Sequence, residues 1–357
     1  MSACAVTFRD VPHDGTNEVH EYLGTSRRAP SVLETLDSEP ALAWTAEVGR
    51  GVTGAPAVGE RVTAVASVER WIHALDTRTG GLFWRFRGPD SFGPGPVMGA
   101  GAVYAATEAG EGVVVAIDLF SGRRRWQART GPIAAPIVLR DSTLYAVNEV
   151  GMLMALDTRT GNMRWSRLAG ASRAGPLVAD TVIAVASLND SLLVFERTTG
   201  RPLTRVALPV GIIAPAAYID QRAIALASPA GAVLAVTLPG GEVRWRVNTA
   251  EGVMGSPVVS GDTVFAVTSG CQLLAIPVNA PDARRTLDLG CRTRTGPTLL
   301  RNGVLVATLD GRILFQSRTA AAGRWSLSVG GELPHPPIVQ GGQIIIAPIL
   351  GGVVSYR

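Results

Sequence analysis

Tryptophan recurs along this chain at a nearly constant interval. Six of its seven tryptophans share the register: Trp44, Trp84, Trp126, Trp165, Trp245 and Trp325. The first four are 40, 42 and 39 residues apart, and the last two are separated by two steps of 40. Thr204 and Arg285 occupy the two positions at which the register has no tryptophan. The interval therefore divides the chain into eight units.

A second landmark repeats with the same period. Each unit contains a proline that follows a small residue or another proline: Pro56, Pro96, Pro136, Pro176, Pro215, Pro257, Pro297 and Pro337. Two landmarks that stay in register over eight units predict a repeat architecture. A period near 40 with strand-like contents is typical of a β-propeller, in which each unit forms one four-stranded blade.

Each unit has the pattern of four short strands. In one unit, apolar stretches begin near Pro136, Thr143 and Met152, and a fourth ends at Trp165. Proline is tolerated at the first residue of a strand, which is where the repeat has it. In the segment 157–161, the aspartate can accept backbone N–H bonds and the glycine supplies a positive φ. With 23 prolines spread along the chain, long helices are excluded.

The two ends of the chain complement each other. After Trp325 only three strands remain, whereas residues 41–48 carry Trp44 with no first three strands before it. Pairing these ends completes the last blade and removes two open sheet edges. We therefore predict an all-β fold over residues 41–357. It is an eight-bladed β-propeller of four-stranded antiparallel blades, with the last blade closed by the N-terminal strand and residues 1–40 forming a tether.

Segments 73–84, 116–126 and 154–165 resemble the Ala-x-Asp-x-x-x-Gly-x-x-x-Trp docking repeat of the pyrroloquinoline-quinone-like propeller family. In that family the tryptophan packs against the motif of the neighbouring blade, and the resemblance implies this docking role for the six registered tryptophans. The motif decays in later units, where the aspartate is replaced and Thr204 and Arg285 stand in place of the tryptophan, so we expect those blades to dock less tightly. The replacing residues are Glu196, Thr237, Pro277 and Ser317.

One branch of the family consists of quinoprotein dehydrogenases, which hold a quinone and Ca²⁺ over the central channel and usually have two adjacent cysteines. This chain has no adjacent cysteines, and its inter-strand loops are short. Trp71, the one tryptophan outside the register, is expected in a tight turn. The four histidines lack ligand spacing, and no nucleophile or phosphate-loop motif is present. We expect no catalytic residue, cofactor, metal or small-molecule substrate, and a quinoprotein relic is the least favoured function.

The non-enzymatic branch, the outer-membrane protein assembly lipoproteins, is more similar in length, blade number and closing strand. Its members begin with a lipidated cysteine, and Ser2-Ala3-Cys4 resembles the end of a lipoprotein cleavage box. The resemblance implies a non-enzymatic scaffold, lipid-anchored at Cys4 on the periplasmic face of the bacterial outer membrane, that binds a β-barrel assembly subunit. An accessory propeller subunit of another envelope or membrane complex is the alternative.

In that branch, loops of the middle blades contact the partner. The corresponding loops here are 167–173 and 208–213. Leu168 stands for the family leucine, with Arg167 or Arg173 as the nearby cation. The second loop has no aspartate, so a contact there would be apolar. Its candidate residues are Leu208, Val210, Ile212 and Ile213. The alternative for these side chains is that they cover the blade ends.

Two of the three cysteines are placed to meet. Cys271 begins a third strand, and Cys291 follows the fourth strand of the same blade. These ends are neighbours in an antiparallel hairpin, which predicts a disulfide, with two free thiols as the alternative. A disulfide here would indicate an oxidising compartment.

The charge of the chain is modest and all of its basic residues are arginine. Thirty-three basic and 29 acidic residues give a net charge of +4. The run 123–125 lies on an outer strand without interleaved aromatic residues, so no nucleic-acid partner is expected. An anionic membrane surface is the alternative partner for this run. The apolar runs are too short to cross a bilayer as a helix.

Overall fold

A computed structural model of the chain describes residues 5–7, 34–36, 38–318 and 323–357. Residues 5–7 are described by their backbone only. Within these residues the chain forms eight antiparallel sheets, one for each repeat unit. Each sheet is a four-stranded blade, and the first blade carries one additional strand. The predicted eight-bladed propeller is therefore confirmed.

The blades are numbered here along the chain, and the strands of each are given from the inner to the outer strand. They are Ala57–Val58, Val62–Ala66, Trp71–Asp76 and Leu82–Arg87 in blade 1; Val97–Gly99, Ala102–Ala106, Val113–Asp118 and Arg124–Arg129 in blade 2; Val138–Arg140, Thr143–Val147, Met152–Asp157 and Met163–Leu168 in blade 3; Pro176–Val178, Val182–Ser187, Ser191–Glu196 and Pro202–Ala207 in blade 4; Ala217–Asp220, Ala223–Ser228, Ala232–Thr237 and Val243–Asn248 in blade 5; Val258–Ser260, Thr263–Val267, Gln272–Pro277 and Arg285–Asp288 in blade 6; Thr298–Leu299, Gly303–Ala307, Arg312–Ser317 and Arg324–Ser328 in blade 7; and Ile338–Gln340, Gln343–Ile346, Val353–Tyr356 and Leu42–Ala46 in blade 8. One 3₁₀ turn, Pro281–Ala283, precedes the outer strand of blade 6.

The core is divided among the interfaces between blades. In the described part of the chain, buried apolar residues form eight clusters, each made by two adjacent blades. The second strand of blade 1, Val62–Ala66, is buried at every position because its sheet is covered on both faces. Outer strands such as Arg124–Arg129 are instead largely exposed. The small and β-branched residues of the repeat are thus what a strand covered on both faces requires.

The aspartate-to-glycine turn and the tryptophan form one docking unit. In blade 3, Asp157 Oδ1 accepts hydrogen bonds from the backbone N–H groups of Arg159 and Thr160, both at 3.0 Å. Gly161 has φ +74°, and a Cβ on it would lie 2.5 Å from the indole of Trp126 in blade 2. Trp126 Nε1 donates to the Thr158 carbonyl at 2.8 Å. Glycine is required both for its backbone angle and for the close approach of the ring.

The N-terminal strand closes the ring as predicted. Leu42–Ala46 pairs antiparallel with Val353–Tyr356. Ala41 and Arg357 exchange two backbone hydrogen bonds of 2.9 and 2.8 Å just beyond this pairing. Trp44 Nε1 then donates to the Thr77 carbonyl of blade 1 at 3.1 Å. Closure therefore uses the same tryptophan docking as the other interfaces.

Docking changes where the motif decays. At the Thr204 position, Val206 takes over part of the contact, since a Cβ on Gly241 would lie 2.4 Å from its Cγ2. Thr237 replaces the turn aspartate and accepts the Glu242 N–H through Oγ1 at 3.0 Å. Trp325 Nε1 is buried without a hydrogen-bond partner among the described residues. Its neighbour, blade 8, has no turn between its third and fourth strands, because these strands belong to opposite ends of the chain.

Two pieces of the predicted tether contact the propeller. Leu36 exchanges hydrogen bonds with the side chain of Asn302 in blade 7, at 3.2 and 2.9 Å. Glu34 accepts from the backbone N–H groups of Gly341 and Gly342 in blade 8, at 2.9 and 2.5 Å. The strand Ala5–Thr7 pairs antiparallel with the outer strand of blade 1. Cys4 lies outside the described residues.

Candidate functional site

A groove runs between the outer strands of blades 3 and 4. Leu168, the last residue of its strand, is 70% exposed. With Leu193, Phe195 and Leu203 it lines a cavity of about 290 Å³. Arg205 lines the same groove, so a cationic group borders this apolar surface.

The guanidinium of Arg167 also borders this groove. Its Nη1 donates to the Ser166 carbonyl at 2.7 Å, and its Nη2 donates to the Thr199 carbonyl of blade 4 at 3.2 Å. These bonds hold the cation across the blade 3–blade 4 boundary. Arg173 is exposed and lines the central channel instead. Of the two cations considered from the sequence, Arg167 therefore lines the same groove as Leu168, whereas Arg173 does not.

The second predicted contact loop is mostly covered. Leu208 and Ile212 are 6% and 1% exposed, and both belong to the apolar cluster between blades 4 and 5. Val210 packs against the same cluster, and Ile213 lines the channel cavity. The loop passes from one blade to the next, and its apolar side chains fill the space between them. Leu208 and Ile212 are thus unavailable as a contact surface, and they cover the blade ends.

The mouth of the central channel contains a cavity of about 210 Å³. The residues that precede the inner strands line it, including several landmark prolines together with Arg173, Arg294 and His335. Burial lowers the pKa of His335 to about 4, so the imidazole is neutral at pH 7. Arg294 Nη1 lies 3.6 Å from Glu332 Oε1. The positive charge of this mouth therefore comes from its arginines.

This mouth does not fit the quinone and Ca²⁺ of the dehydrogenase branch. Calcium is bound by several carboxylate and carbonyl oxygens, whereas side-chain carboxylates are absent from the lining described above. No group of three or more His, Cys, Asp or Glu side chains within the described ranges could hold a metal ion.

Trp71 is the first residue of the third strand of blade 1, whereas the sequence predicted it in the preceding turn. The Arg85 guanidinium lies 4.6 Å from the centroid of its ring.

A larger cavity of about 710 Å³ lies among the turns that join first and second strands in blades 3 to 6 and the turn that follows the third strand of blade 5. Its lining includes Arg140, Asp180, Tyr218, Arg222 and Leu238, and Arg140 is paired with Asp180. This cavity could not be predicted from the sequence. These turns carry no repeated motif, so no pattern in the sequence indicates how their side chains converge.

Cys271 and Cys291 are joined by a disulfide, with a Cα–Cα separation of 5.2 Å. It links the start of the third strand of blade 6 to the loop that follows the fourth. Cys271 is buried within the apolar cluster between blades 6 and 7, and Cys291 packs against that cluster. The disulfide therefore lies in the blade whose outer strand has Arg285 in place of the tryptophan.

No helix long and apolar enough to cross a membrane occurs in the part of the chain that the structure describes.

Comparisons with known proteins extend these observations. The family model of the outer membrane protein assembly factor BamB matches residues 31–174, 110–206 and 189–286. No significantly similar sequence is found among the curated proteins.

Solved structures share the propeller fold. BamB from Moraxella catarrhalis aligns with a TM-score of 0.75 at 15% identity, covering 89% of this chain and 100% of that chain. Quinohemoprotein alcohol dehydrogenase from Comamonas testosteroni aligns with a TM-score of 0.71 at 13% identity, covering 94% and 80%. The computationally designed Ika8 protein aligns at 0.70 and 12% identity, covering 89% and 100%. At these identities the likeness concerns the fold alone.

Proposed function

The chain belongs to the family of the outer membrane protein assembly factor BamB, and on this premise we propose that it is a non-enzymatic scaffold of the outer-membrane β-barrel assembly machinery. In this proposal a lipid on Cys4 holds it at the periplasmic face of the outer membrane. The propeller then binds a β-barrel assembly subunit through the rim of its middle blades.

The observation that carries the proposal is the Arg167–Leu168 groove between blades 3 and 4. Leu168, which is 70% exposed, stands with other apolar side chains at this groove, so a partner that covered it would gain free energy from burying the apolar surface. Arginine, which borders the groove, is enriched among the residues that dominate protein–protein binding. The groove suits a partner segment that inserts an apolar side chain and presents carboxylates to Arg167 and Arg205.

The non-enzymatic part of the proposal rests on the channel mouth. Its lining consists of prolines, small residues, Ile213, Met254, two arginines and a neutral histidine. Such a set offers no side-chain carboxylate, either as a Ca²⁺ ligand or as a base. Catalysis of the quinoprotein type would need both.

Two cysteine features support the proposed compartment. Ser2-Ala3-Cys4 resembles the end of a lipoprotein cleavage box, in which the cysteine is the lipidated residue. The Cys271–Cys291 disulfide is suited to an oxidising compartment such as the periplasm, since cytosolic thiols are kept reduced.

The decisive experiment is co-purification from detergent-solubilised native membranes. We expect the β-barrel assembly subunit to be recovered with the wild-type chain and Leu168→Glu to weaken its binding by about 30-fold or more, as for a central contact residue. Leu287→Glu is the matched control, because Leu287 is an exposed leucine on the outer strand of blade 6. Equal binding by both variants would refute the groove as the docking surface.

Three further outcomes test the other parts of the proposal. Recovery of a different envelope complex, without the β-barrel subunit, would favour an accessory role elsewhere. Alcohol oxidation after adding the quinone and Ca²⁺ would overturn the non-enzymatic assignment. Intact-mass measurement of the native protein tests Cys4, and an unmodified Met1 would refute lipidation.

A further inference from the structure

The outer strands listed above for the eight blades form the rim of the propeller, with Ala5–Thr7 added along the outer edge of the one in blade 1, and the charge of these listed strands is strongly one-sided. They contain two arginines in blade 1, three in blade 2, two in blade 3, one in blade 4, two in blade 5, one each in blades 6 and 7, and none in blade 8. Asp288 is the one acidic residue in these strands. Because the whole chain carries 33 basic and 29 acidic residues, the rim concentrates the positive charge.

Within the residues that the structure describes, three of the twelve arginines in these strands form an ion pair with a carboxylate. In the described part of the chain, ion pairs join Arg125 to Asp118 at 2.8 Å, Arg129 to Glu111 at 3.1 Å and Arg164 to Asp157 at 2.7 Å. Arg124 instead donates to the neutral side chain of Gln127. The strands of the rim therefore keep a net positive charge.

The arc formed by blades 1 and 2 is the most cationic part of the rim. Its outer strands hold Arg85, Arg87, Arg124, Arg125 and Arg129, and Arg123 directly precedes the second strand. Neither strand contains an acidic residue. Arg85 and Arg87 lie over the ring of Trp71, with distances of 4.6 and 5.7 Å to its centroid. Stacking on an aromatic ring orients a guanidinium and leaves its charge intact.

The N-terminal strand lies on the same arc. Ala5, Val6 and Thr7 pair with Phe86, Arg85 and Trp84 of the blade 1 rim. Ala5 follows Cys4 in the sequence, and consecutive Cα atoms are about 3.8 Å apart. The strand that follows the proposed lipid site in the sequence therefore lies on this arc; this step rests on the lipidation in the proposed function.

We propose that the rim of blades 1 and 2 binds the headgroups of anionic phospholipids, so that the propeller stands edge-on against the membrane. Arginine suits this role because its planar guanidinium can donate two parallel hydrogen bonds to a phosphate. Each basic group near an anionic surface strengthens binding by about five-fold. The groove of blades 3 and 4 lies next to this arc and stays open to a membrane-embedded partner.

Vesicle flotation tests the proposal with the full chain carrying Cys4→Ser, so that no lipid anchor contributes. The probes are phosphatidylcholine vesicles and equimolar phosphatidylcholine–phosphatidylglycerol vesicles. We expect binding to the anionic vesicles alone, and a loss of about 100-fold in the triple variant Arg87→Gln, Arg123→Gln, Arg124→Gln. All three side chains belong to exposed residues, so folding should persist, and circular dichroism checks it.

The matched control is Arg244→Gln, Arg246→Gln, Arg285→Gln, which removes the same charge from the rim of blades 5 and 6. We expect it to retain most of the binding. Equal losses in the two variants, or no binding by the unsubstituted rim, would overturn the proposal, as would tighter binding to single-stranded RNA than to the vesicles. Because no β-barrel subunit is present, failure here is separate from failure of the scaffold proposal.

Discussion

The indole nitrogen of Trp84 in blade 1 donates a hydrogen bond of 2.8 Å to the backbone oxygen of Leu119 in blade 2. The same ring lies against Gly122, on which a Cβ would come within 2.8 Å of two indole carbons. Trp84 has no exposed surface. One side chain thus satisfies a buried carbonyl, fills the interface and requires glycine in the next blade.

Substitution of Gly122 by alanine should destabilise the propeller by about 3 kcal/mol. About 1 kcal/mol arises from the left-handed backbone at φ +66°, and the remainder arises from displacing the packed indole. Gly261→Ala is the matched control, because Gly261 has φ +59° and a Cβ on it would meet no atom within 4 Å. Urea unfolding of both variants measures the difference, and equal losses would contradict the role of the tryptophan contact.

Trp84→Phe should cost more stability than Trp325→Phe, by at least about 1 kcal/mol. The first change leaves the buried Leu119 carbonyl without its donor, whereas Trp325 Nε1 has no acceptor among the described residues. Removing the Trp325 N–H therefore breaks no hydrogen bond. Chemical unfolding of the two variants is the measurement, and a larger loss for Trp325→Phe would refute the account of blade docking.

The sequence allowed the ring to be predicted because its landmarks have geometric meaning. Trp44 alone, without three preceding strands, indicated a strand that had to pair with the other end of the chain. The strand Ala5–Thr7 was not predicted, because three residues are too few to show a period.

The contact surface was harder to predict than the ring. Leu168 and Leu208 are both leucines near blade ends, but one is 70% exposed and the other 6%. The two leucines differ in exposure because Leu168 ends an outer strand, whereas Leu208 packs between two blades. Apolar character alone does not distinguish these situations, and the cavity among the turns of blades 3 to 6 likewise depends on turn conformation.

Loss of the Cys271–Cys291 disulfide should lower the free energy of unfolding by about 3 kcal/mol, the value expected for a closed loop of this length. The double variant Cys271→Ala, Cys291→Ala should therefore unfold at lower temperature than the wild type. A reductant should lower the wild-type transition toward that of the variant and leave the variant unchanged. An unchanged wild-type transition after verified reduction would contradict a stabilising role.

The pairing of Val6 with Arg85 predicts a specific crosslink. Directly opposite residues in antiparallel strands have Cβ atoms about 5 Å apart, near enough for a disulfide to form with small adjustments. In a Cys4→Ser background, Val6→Cys with Arg85→Cys should oxidise readily, as peptide mass mapping would detect. Val6→Cys with Gln127→Cys, on the blade 2 rim, is the control. Equal crosslinking of both pairs would refute the strand register.

His73 should make stability depend on pH. It is 7% exposed in the third strand of blade 1, and burial together with the charge of Arg85 lowers its pKa to about 4 from 6.5. The folded state therefore favours the neutral imidazole, and the associated stability is fully present above pH 6.5. As pH falls from 6.5 to about 4, the unfolded state takes up a proton first, and about 3 kcal/mol is lost. In His73→Leu this dependence should disappear, while the contribution of His335 is common to both proteins and cancels in their difference. Urea unfolding at a series of pH values measures that difference, and a difference that stays constant between neutral pH and pH 4 would show that His73 is protonated equally in the folded and unfolded chains.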